Sequence, residues 1–328
     1  MQLDFFRTFL VLALIMTIGW LYWRSRQQGG QMKSGSFTND LTSAAKKGQL
    51  DSVVGRDIEI DRIIQIIARK NKNNPLLIGP AGVGKTAIIE GLAQRIADGD
   101  VPDFLRGKHI LSLHLQDVLA GTAMRGELEQ RLQALLKELE NKNSDAILFI
   151  DELHMLHQAK GVEGGLNVSD MLKPALARGE LAIIGATTWD EYEQSLQKDP
   201  AIDRRFQPVL IGEPSEKVAI QMIRGLKHEY EEHHQVSIED EAIVTAVKES
   251  LRRLKKRVLP DKALDLIDEA AAKVSIEATR EHTAPLGVLH AASDKVGKGR
   301  KSLDQTPVVT SDDVLEVLAH WEKMMPKK

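Results

Sequence analysis

From Leu50 onward, short apolar runs of strand length alternate with stretches whose apolar positions recur at helical spacing. The runs fall at residues 76–78, 110–115, 147–150, 181–185 and 209–211. Uninterrupted apolar runs of this kind suit parallel strands buried on both faces, so the pattern predicts an α/β domain: a parallel sheet sandwiched by helices. Gly212-Glu213-Pro214 breaks the alternation. Beyond it the periodicity is helical at 216–233, 239–255, 262–279 and 311–323, which predicts a small all-helical second domain. A Gly-, Ser- and Thr-containing stretch near 281–307 separates the last two helices and is expected to be a mobile loop.

Before Leu50 the pattern is different. Residues 9–23 carry no charge, and Phe5 and Phe6 extend the apolar window past a single Arg7. A bilayer-crossing helix needs about 20 apolar residues, so 5–23 suffice if Arg7 snorkels to the interface. Trp20, Tyr22 and Trp23 cluster at one end, and Arg24 and Arg26 follow at once. Aromatic rings favour the membrane interface and basic residues the cytoplasmic side. The expectation is a single-pass inner (cytoplasmic) membrane protein, with the anchor in 1–26 and the rest in the cytoplasm. A cleaved signal peptide is the competing reading, but no small-residue cleavage site follows the apolar run. Residues 27–48, rich in Gln, Gly, Ser, Thr and Lys, are expected to form a flexible linker. The large domain then takes 49–212 and the small one 213–328.

The chemistry starts at the end of the first run. Gly79-Pro80-Ala81-Gly82-Val83-Gly84-Lys85-Thr86 has the form GxxxxGK[ST] between a predicted strand and a predicted helix. Glycines allow successive backbone N–H groups to curl around phosphate oxygens, and the following helix points its N-terminus at the anion. Lys85 can reach the β and γ phosphates, and the Thr86 hydroxyl can sit on Mg²⁺. The 147–150 run ends in Asp151-Glu152. A carboxylate delivered there belongs beside Mg²⁺, and the next can activate water for attack on the γ-phosphate. The 181–185 run leads to Thr187-Thr188, hydroxyls able to hold that water at the carboxyl edge of the sheet. Arg204 and Arg205 close the large domain, as surface ion-pair partners or as fingers reaching a neighbour's site. ATP and Mg²⁺ are therefore the expected cofactors.

Composition narrows the choice. The net charge of −3 lacks the basic excess of a nucleic-acid binder, so no nucleic acid is expected. The absence of cysteine excludes disulfides and thiolate metal sites. His154 and His157 would share a helical face and could bind metal, but belong more naturally to the segment after the carboxylates. Arg252, Arg253, Lys255, Lys256 and Arg257 form a basic cluster that suits a helix C-terminus or subunit contact better than DNA.

Taken in order, these pieces resemble the first ATPase module of the Clp unfoldases and disaggregases (ClpA, ClpB, ClpC) of the AAA+ class. The resemblance runs from about Leu50 to Trp321 and includes Val54-Gly55-Arg56, Lys72-Asn73-Asn74-Pro75, the phosphate loop and Glu90-Gly91-Leu92-Ala93. It continues through Phe149–His154, residues 171–180, Gly185–Thr188, Arg204-Arg205-Phe206 and Leu259-Pro260-Asp261-Lys262-Ala263. It implies a P-loop AAA+ sheet with a helical lid, a homo-oligomeric ring (a hexamer), and ATP held at subunit interfaces. By position, Val54 and Gly55 would border the adenine, with Asp261 on the lid side of the nucleotide. Thr86 and Asp151 would hold Mg²⁺, and Glu152 would be the catalytic carboxylate. Thr188, less readily Thr187, would sense the γ-phosphate, and Arg204 and Arg205 would act in trans.

The departures carry information too. The family's pore loop usually holds an aromatic before Arg-Gly, whereas here the segment is Thr122-Ala123-Met124-Arg125-Gly126. Methionine is apolar and adaptable but offers no rigid ring. A second glycine-rich pore segment is expected near 161–166. No amino-terminal adaptor domain, long coiled-coil insertion or second ATPase module is expected. The sequence thus predicts a membrane-anchored Clp-like ATPase that couples ATP hydrolysis to remodelling of protein substrates gripped through Met124, Arg125 and Gly126. The alternative is an ATP-binding structural ring of a secretion or envelope complex with little threading. A nucleic-acid motor or loader is disfavoured by the charge.

Overall fold

The computed structural model describes residues 38–115, 133–137, 139, 145–155, 172, 181–200, 204–283 and 306–324. The expected anchor at 5–23, the pore-loop residues Met124, Arg125 and Gly126, the 161–166 segment, His157 and residues 284–305 lie outside them. Among the described residues, no helix is long and apolar enough to cross a membrane.

A six-stranded sheet organises the first part of the chain: β1 (Thr38–Asp40), β2 (Asn74–Ile78), β3 (His109–Leu113), β4 (Ala146–Ile150), β5 (Ala182–Thr187) and β6 (Phe206–Leu210). The spatial order is β1-β3-β4-β5-β2-β6. β2 and β4 are buried at every position, which is what a strand covered on both faces requires. One apolar layer, containing Ile63, Ile88, Leu92 and Phe149, includes residues of α2 (Asp57–Ile67) and α3 (Lys85–Asp98), two helices that follow α1 (Leu41–Lys46). The other contains Leu76, Leu148, Ile183 and Phe206.

Two expectations are corrected here. The sheet is mixed, because β1 runs antiparallel to β3, while β3–β4, β4–β5, β5–β2 and β2–β6 are parallel. β1 and α1 also lie inside the stretch expected to be a flexible linker. Their apolar content is low, but local chemistry fixes them. Asp40 caps α1 by accepting from Ser43 N at 2.9 Å, and its other carboxylate oxygen lies 2.9 Å from His109 Nδ1 on β3. The buried Thr42 hydroxyl accepts from Ile110 N at 3.0 Å.

Between β5 and β6 lies the short helix α4 (Trp189–Gln194); after Gly212 the chain turns helical, and α5 (Glu216–His234), α6 (Asp240–Arg253), α7 (Asp261–Thr283) and α8 (Ser311–Met324) surround a separate apolar cluster. Ala242, Ile243, Val247, Leu266, Ile267 and Leu318 are its centre. The second domain is not purely helical. β7 (Ser237–Ile238) pairs in parallel with β8 (Val308–Val309), with Ile238 and Val309 buried on the helices. Two-residue strands carry too little periodicity to show in a helical background.

The two parts are joined by specific contacts. Arg56, 5% exposed, donates to the Val83 carbonyl at 2.7 Å and to the Gly212 carbonyl at 3.4 Å, and pairs with Glu59 at 2.8 Å. Glu213 accepts from Leu259 N at 2.8 Å and meets the buried Lys262 ammonium at 2.9 Å. Burial pushes the Glu213 carboxyl up, but Lys262 and the Leu259 N–H outweigh it and hold the group below its ordinary range.

Candidate functional site: a phosphate cradle at the carboxyl edge of the sheet

Because β2 to β5 are parallel, the segments that follow them emerge at one edge, where open α/β sheets bind ligands. The loop after β2 is pinned at its start: Gly79 N donates to the Thr187 carbonyl at 3.2 Å, and a Cβ at Gly79 would lie 2.4 Å from the Ile211 carbonyl. Gly82 and Gly84 have φ of 77° and 90°, left-handed values that favour glycine. Val83 is buried in the core beneath the loop. Gly84 is the N-cap of α3 and makes no side-chain capping bond, so the first turn presents free N–H groups to an anion.

Lys85 and Thr86 lie in that first turn. Lys85 Nζ donates at 3.0 Å to each of the Gly79 and Pro80 carbonyls, holding the ammonium across the mouth of the loop. Burial lowers its pKa, with Asp151, Glu191 and Glu152 opposing the shift as nearby negative charges. The Thr86 hydroxyl donates to Asp151 Oδ2 at 2.8 Å. A hydroxyl beside a carboxylate is an all-oxygen donor pair, which fits a hard divalent cation such as Mg²⁺.

Glu152 has φ of 50°, an uncommon left-handed value for a side-chain-bearing residue. Such conformations persist where the surroundings enforce them, and they cluster at functional sites. The enforcing contacts are Glu152 N to Asp151 Oδ1 at 2.9 Å and Leu153 N to the Ala186 carbonyl at 2.9 Å. The turn leaves the Glu152 side chain exposed towards the cavity rather than folded into the sheet.

Thr187 and Thr188 end β5 beside the loop. Thr187 is buried, and Thr188 caps α4 in a reciprocal capping box with Glu191. Lys85, Thr86, Asp151, Glu152, Thr187 and Thr188 all line one cavity of about 750 Å³. Ala81, Gly82 and Gly84 line it from the loop. Leu226, Pro260, Asp261 and Leu264 close it from the second domain. Asp261 packs so tightly on the loop that a Cβ at Gly82 would be 2.7 Å from its own Cβ.

Four further expected residues remain, two expected beside the adenine and two expected to act in a neighbour's site. Val54 and Gly55 do not line this cavity; they pack against α5, where a Cβ on Gly55 would meet Val218 at 2.8 Å and one on Gly225 would meet Val54 at 2.8 Å. Close backbone approach to the second domain accounts for this glycine. Arg204 and Arg205 are exposed and precede β6. The register pairs Phe206 with Asn74, so both arginines lie at the start of β2, whereas the phosphate loop leaves its end. Four strand steps put roughly 13 Å between those ends. The arginines therefore lie at the other end of the strands from the cavity of their own chain and are not among its lining residues.

Residue patterns alone gave Glu191 and Asn74 no role at the site and raised His154 only as a metal candidate or part of the segment after the carboxylates. Glu191 stands three after Thr188, the S/T-x-x-E spacing of a capping box, and that spacing could have flagged it. Asn74 is 2% exposed; its amide accepts from Ile183 N at 2.9 Å and donates to the Arg205 carbonyl at 3.3 Å, anchoring the arginine segment. His154 is buried with Nδ1 at 3.0 Å from Glu191 Oε2. Among the described residues, no group of three metal-ligating side chains assembles.

Residues 75–210 match the model of the ATPase family associated with various cellular activities (AAA), and residues 215–316 match the AAA lid domain. The chaperone ClpB of Propionibacterium freudenreichii is 52% identical over 253 residues, 77% of this chain and 29% of its own length. ClpC of Staphylococcus saprophyticus, the ATP-binding subunit of an ATP-dependent Clp protease, is 53% identical over 250 residues, 76% of this chain and 30% of its own. Among solved structures, an ADP complex of S. cerevisiae Hsp104 superposes with a TM-score of 0.75 at 39% identity, over 90% of this chain and 47% of that one. A closed state of Hsp104 with ATPγS and FITC-casein gives 0.74 at 41% identity, over 88% and 45%. The chain spans about a third of the length of these curated relatives.

Proposed function

Given that this chain belongs to the AAA ATPases, with an ATPase domain followed by its lid and similar to ClpB, ClpC and Hsp104, we propose that it hydrolyses ATP between adjacent copies of itself and remodels protein substrates. The observation that carries the reading is the convergence of Lys85, Thr86, Asp151, Glu152 and Thr188 on a cavity shared with the lid. The loop N–H groups and Lys85 hold the phosphates. Thr86 and Asp151 would hold Mg²⁺, which would supply charge neutralisation to the phosphates. Glu152 takes a proton from water as the water oxygen attacks the γ-phosphorus, and the bond from that phosphorus to the ADP oxygen breaks. Thr188 orients the water. Arg204 and Arg205, distant along the strands from their own cavity, would complete a neighbour's site in a ring.

Protein clients are favoured over nucleic acid because the net charge is −3 and because Hsp104, at 41% identity, has been captured with casein. Clients would be gripped by Met124, Arg125 and Gly126, and residues 5–23 would hold the assembly at the cytoplasmic membrane. The second reading, an ATP-dependent assembly ring with little threading, is favoured by Met124 standing where an aromatic is usual. Glu152→Gln separates the two. It should bind ATP, lose at least about 100-fold in turnover and retain unfolded casein. Recovery of a fixed membrane complex without casein would favour the assembly ring instead. Detergent-dependent release from membranes, abolished by deleting 1–26, tests the anchor.

A further inference from the structure

A capping box asks for two bonds: the Thr188 hydroxyl accepting from Glu191 N, and Glu191 accepting from Thr188 N. Both are present, at 3.4 and 3.2 Å. The same carboxylate oxygen, Glu191 Oε2, makes further contacts that no cap requires. It accepts from the Thr188 hydroxyl at 2.7 Å and the Thr187 hydroxyl at 3.4 Å, and stands 3.0 Å from His154 Nδ1. An ionised carboxylate only accepts, so Nδ1 of His154 carries the proton and the ring is a donor. Burial raises the Glu191 pKa, but hydrogen bonds from Thr188, the His154 charge and Thr187 outweigh it and keep the carboxyl below its ordinary value.

The consequence lies in the lone pairs of Thr188. Its hydroxyl proton goes to Glu191 and one lone pair receives Glu191 N. One acceptor site is left on an oxygen that lines the cavity. In this arrangement Thr188 cannot donate to a phosphate oxygen; it can only accept a proton from water. His154 sits on the turn that carries Glu152, and Leu153 of that turn bonds to Ala186 on β5. Glu191 therefore joins the two water-facing groups, Glu152 and Thr188, through His154.

We propose that Glu191 and His154 are positioning residues that hold Thr188 as a pure acceptor, in register with Glu152, so that the attacking water is gripped by its two protons. This rests on the ATPase reading above. Steady-state turnover with nucleotide titration tests it. Glu191→Ala should lower kcat about tenfold or more with KM for ATP within about twofold, because only an interaction used in the transition state is lost. Glu191→Gln, which still accepts, should keep kcat within about threefold of the parent. His154→Asn, whose amide can donate in place of Nδ1, should do likewise, and His154→Leu should resemble Glu191→Ala.

Two readouts separate positioning from general destabilisation. If Glu191 acts through Thr188, Glu191→Ala should have no further effect on kcat in a Thr188→Ala background. In nucleotide-free protein with ring-¹⁵N histidine, His154 should show a protected Nδ1–H resonance that disappears in Glu191→Ala. Unchanged kcat in Glu191→Ala, additive losses with Thr188→Ala, or a His154 proton on Nε2 alone would each overturn the proposal while leaving the ATPase reading intact. A parent chain that releases no phosphate would bring down both.

Discussion

Arg56 ties the phosphate loop to the domain junction through one side chain. It is almost fully buried, yet it satisfies the Val83 carbonyl under the phosphate loop, the Gly212 carbonyl at the domain junction and the Glu59 carboxylate. A planar five-donor guanidinium can span those acceptors, whereas an ammonium cannot. Removing it leaves a buried carbonyl and a half-buried carboxylate without their cation. Arg56→Ala should therefore cost about 2–3 kcal/mol in denaturant unfolding and raise KM for ATP, while Arg56→Lys should restore only part of either.

Loops and helix termini show where backbone geometry, more than side-chain chemistry, sets the function. Gly82 and Gly99 share nearly the same left-handed φ, 77° and 76°, but differ in surroundings. Nothing lies within 4 Å of a Cβ at Gly99, at the C-cap of α3. Gly99→Ala should cost about 1 kcal/mol in stability and leave nucleotide binding unchanged. A Cβ at Gly82 drives into Asp261 at 2.7 Å, so Gly82→Ala should push the lid off the loop and weaken binding of a fluorescent ATP analogue at least about tenfold. The junction has a pH signature as well. The folded-state pKa of Glu213 is lowered, so its contact with Lys262 stabilises the fold above the unfolded carboxylate value and fades as pH falls through the folded one. The stability difference between parent and Glu213→Gln, measured by urea denaturation, should be full above about pH 5 and shrink below about pH 4.3.

For the assembled protein, the geometry of Arg204 and Arg205 makes the strongest demand. Both stand at the start of β2, opposite the loop that leaves its end. Acting on a neighbour, Arg204→Ala with Arg205→Ala should abolish turnover and spare ATP binding. Lys85→Ala should abolish both. An equal mixture of the two inactive proteins should regain up to about a quarter of the parent phosphate release, since half the loops and half the fingers remain intact. A mixture as inactive as its components would show that the arginines do not work in trans.

The positions of Gly79–Thr86, Asp151-Glu152 and Thr187-Thr188 were legible in the chain because phosphate chemistry needs these residue types directly after buried strands, and apolar runs mark those strands. The four long lid helices were legible from periodicity for the same local reason. What stayed hidden depends on partners remote in sequence. β1 and α1 read as a polar tether because their anchors, His109 and Ile110, come about seventy residues later. Val54 and Gly55 carried no sign that α5 would cover them. Glu191 drew no notice in the sequence and His154 drew it only as a metal candidate paired with His157; the parallel pairing of β4 with β5 brings the segments after those strands together. Local spacing thus specifies which atoms can do the chemistry, while register and packing, which act between distant segments, specify which of those atoms meet.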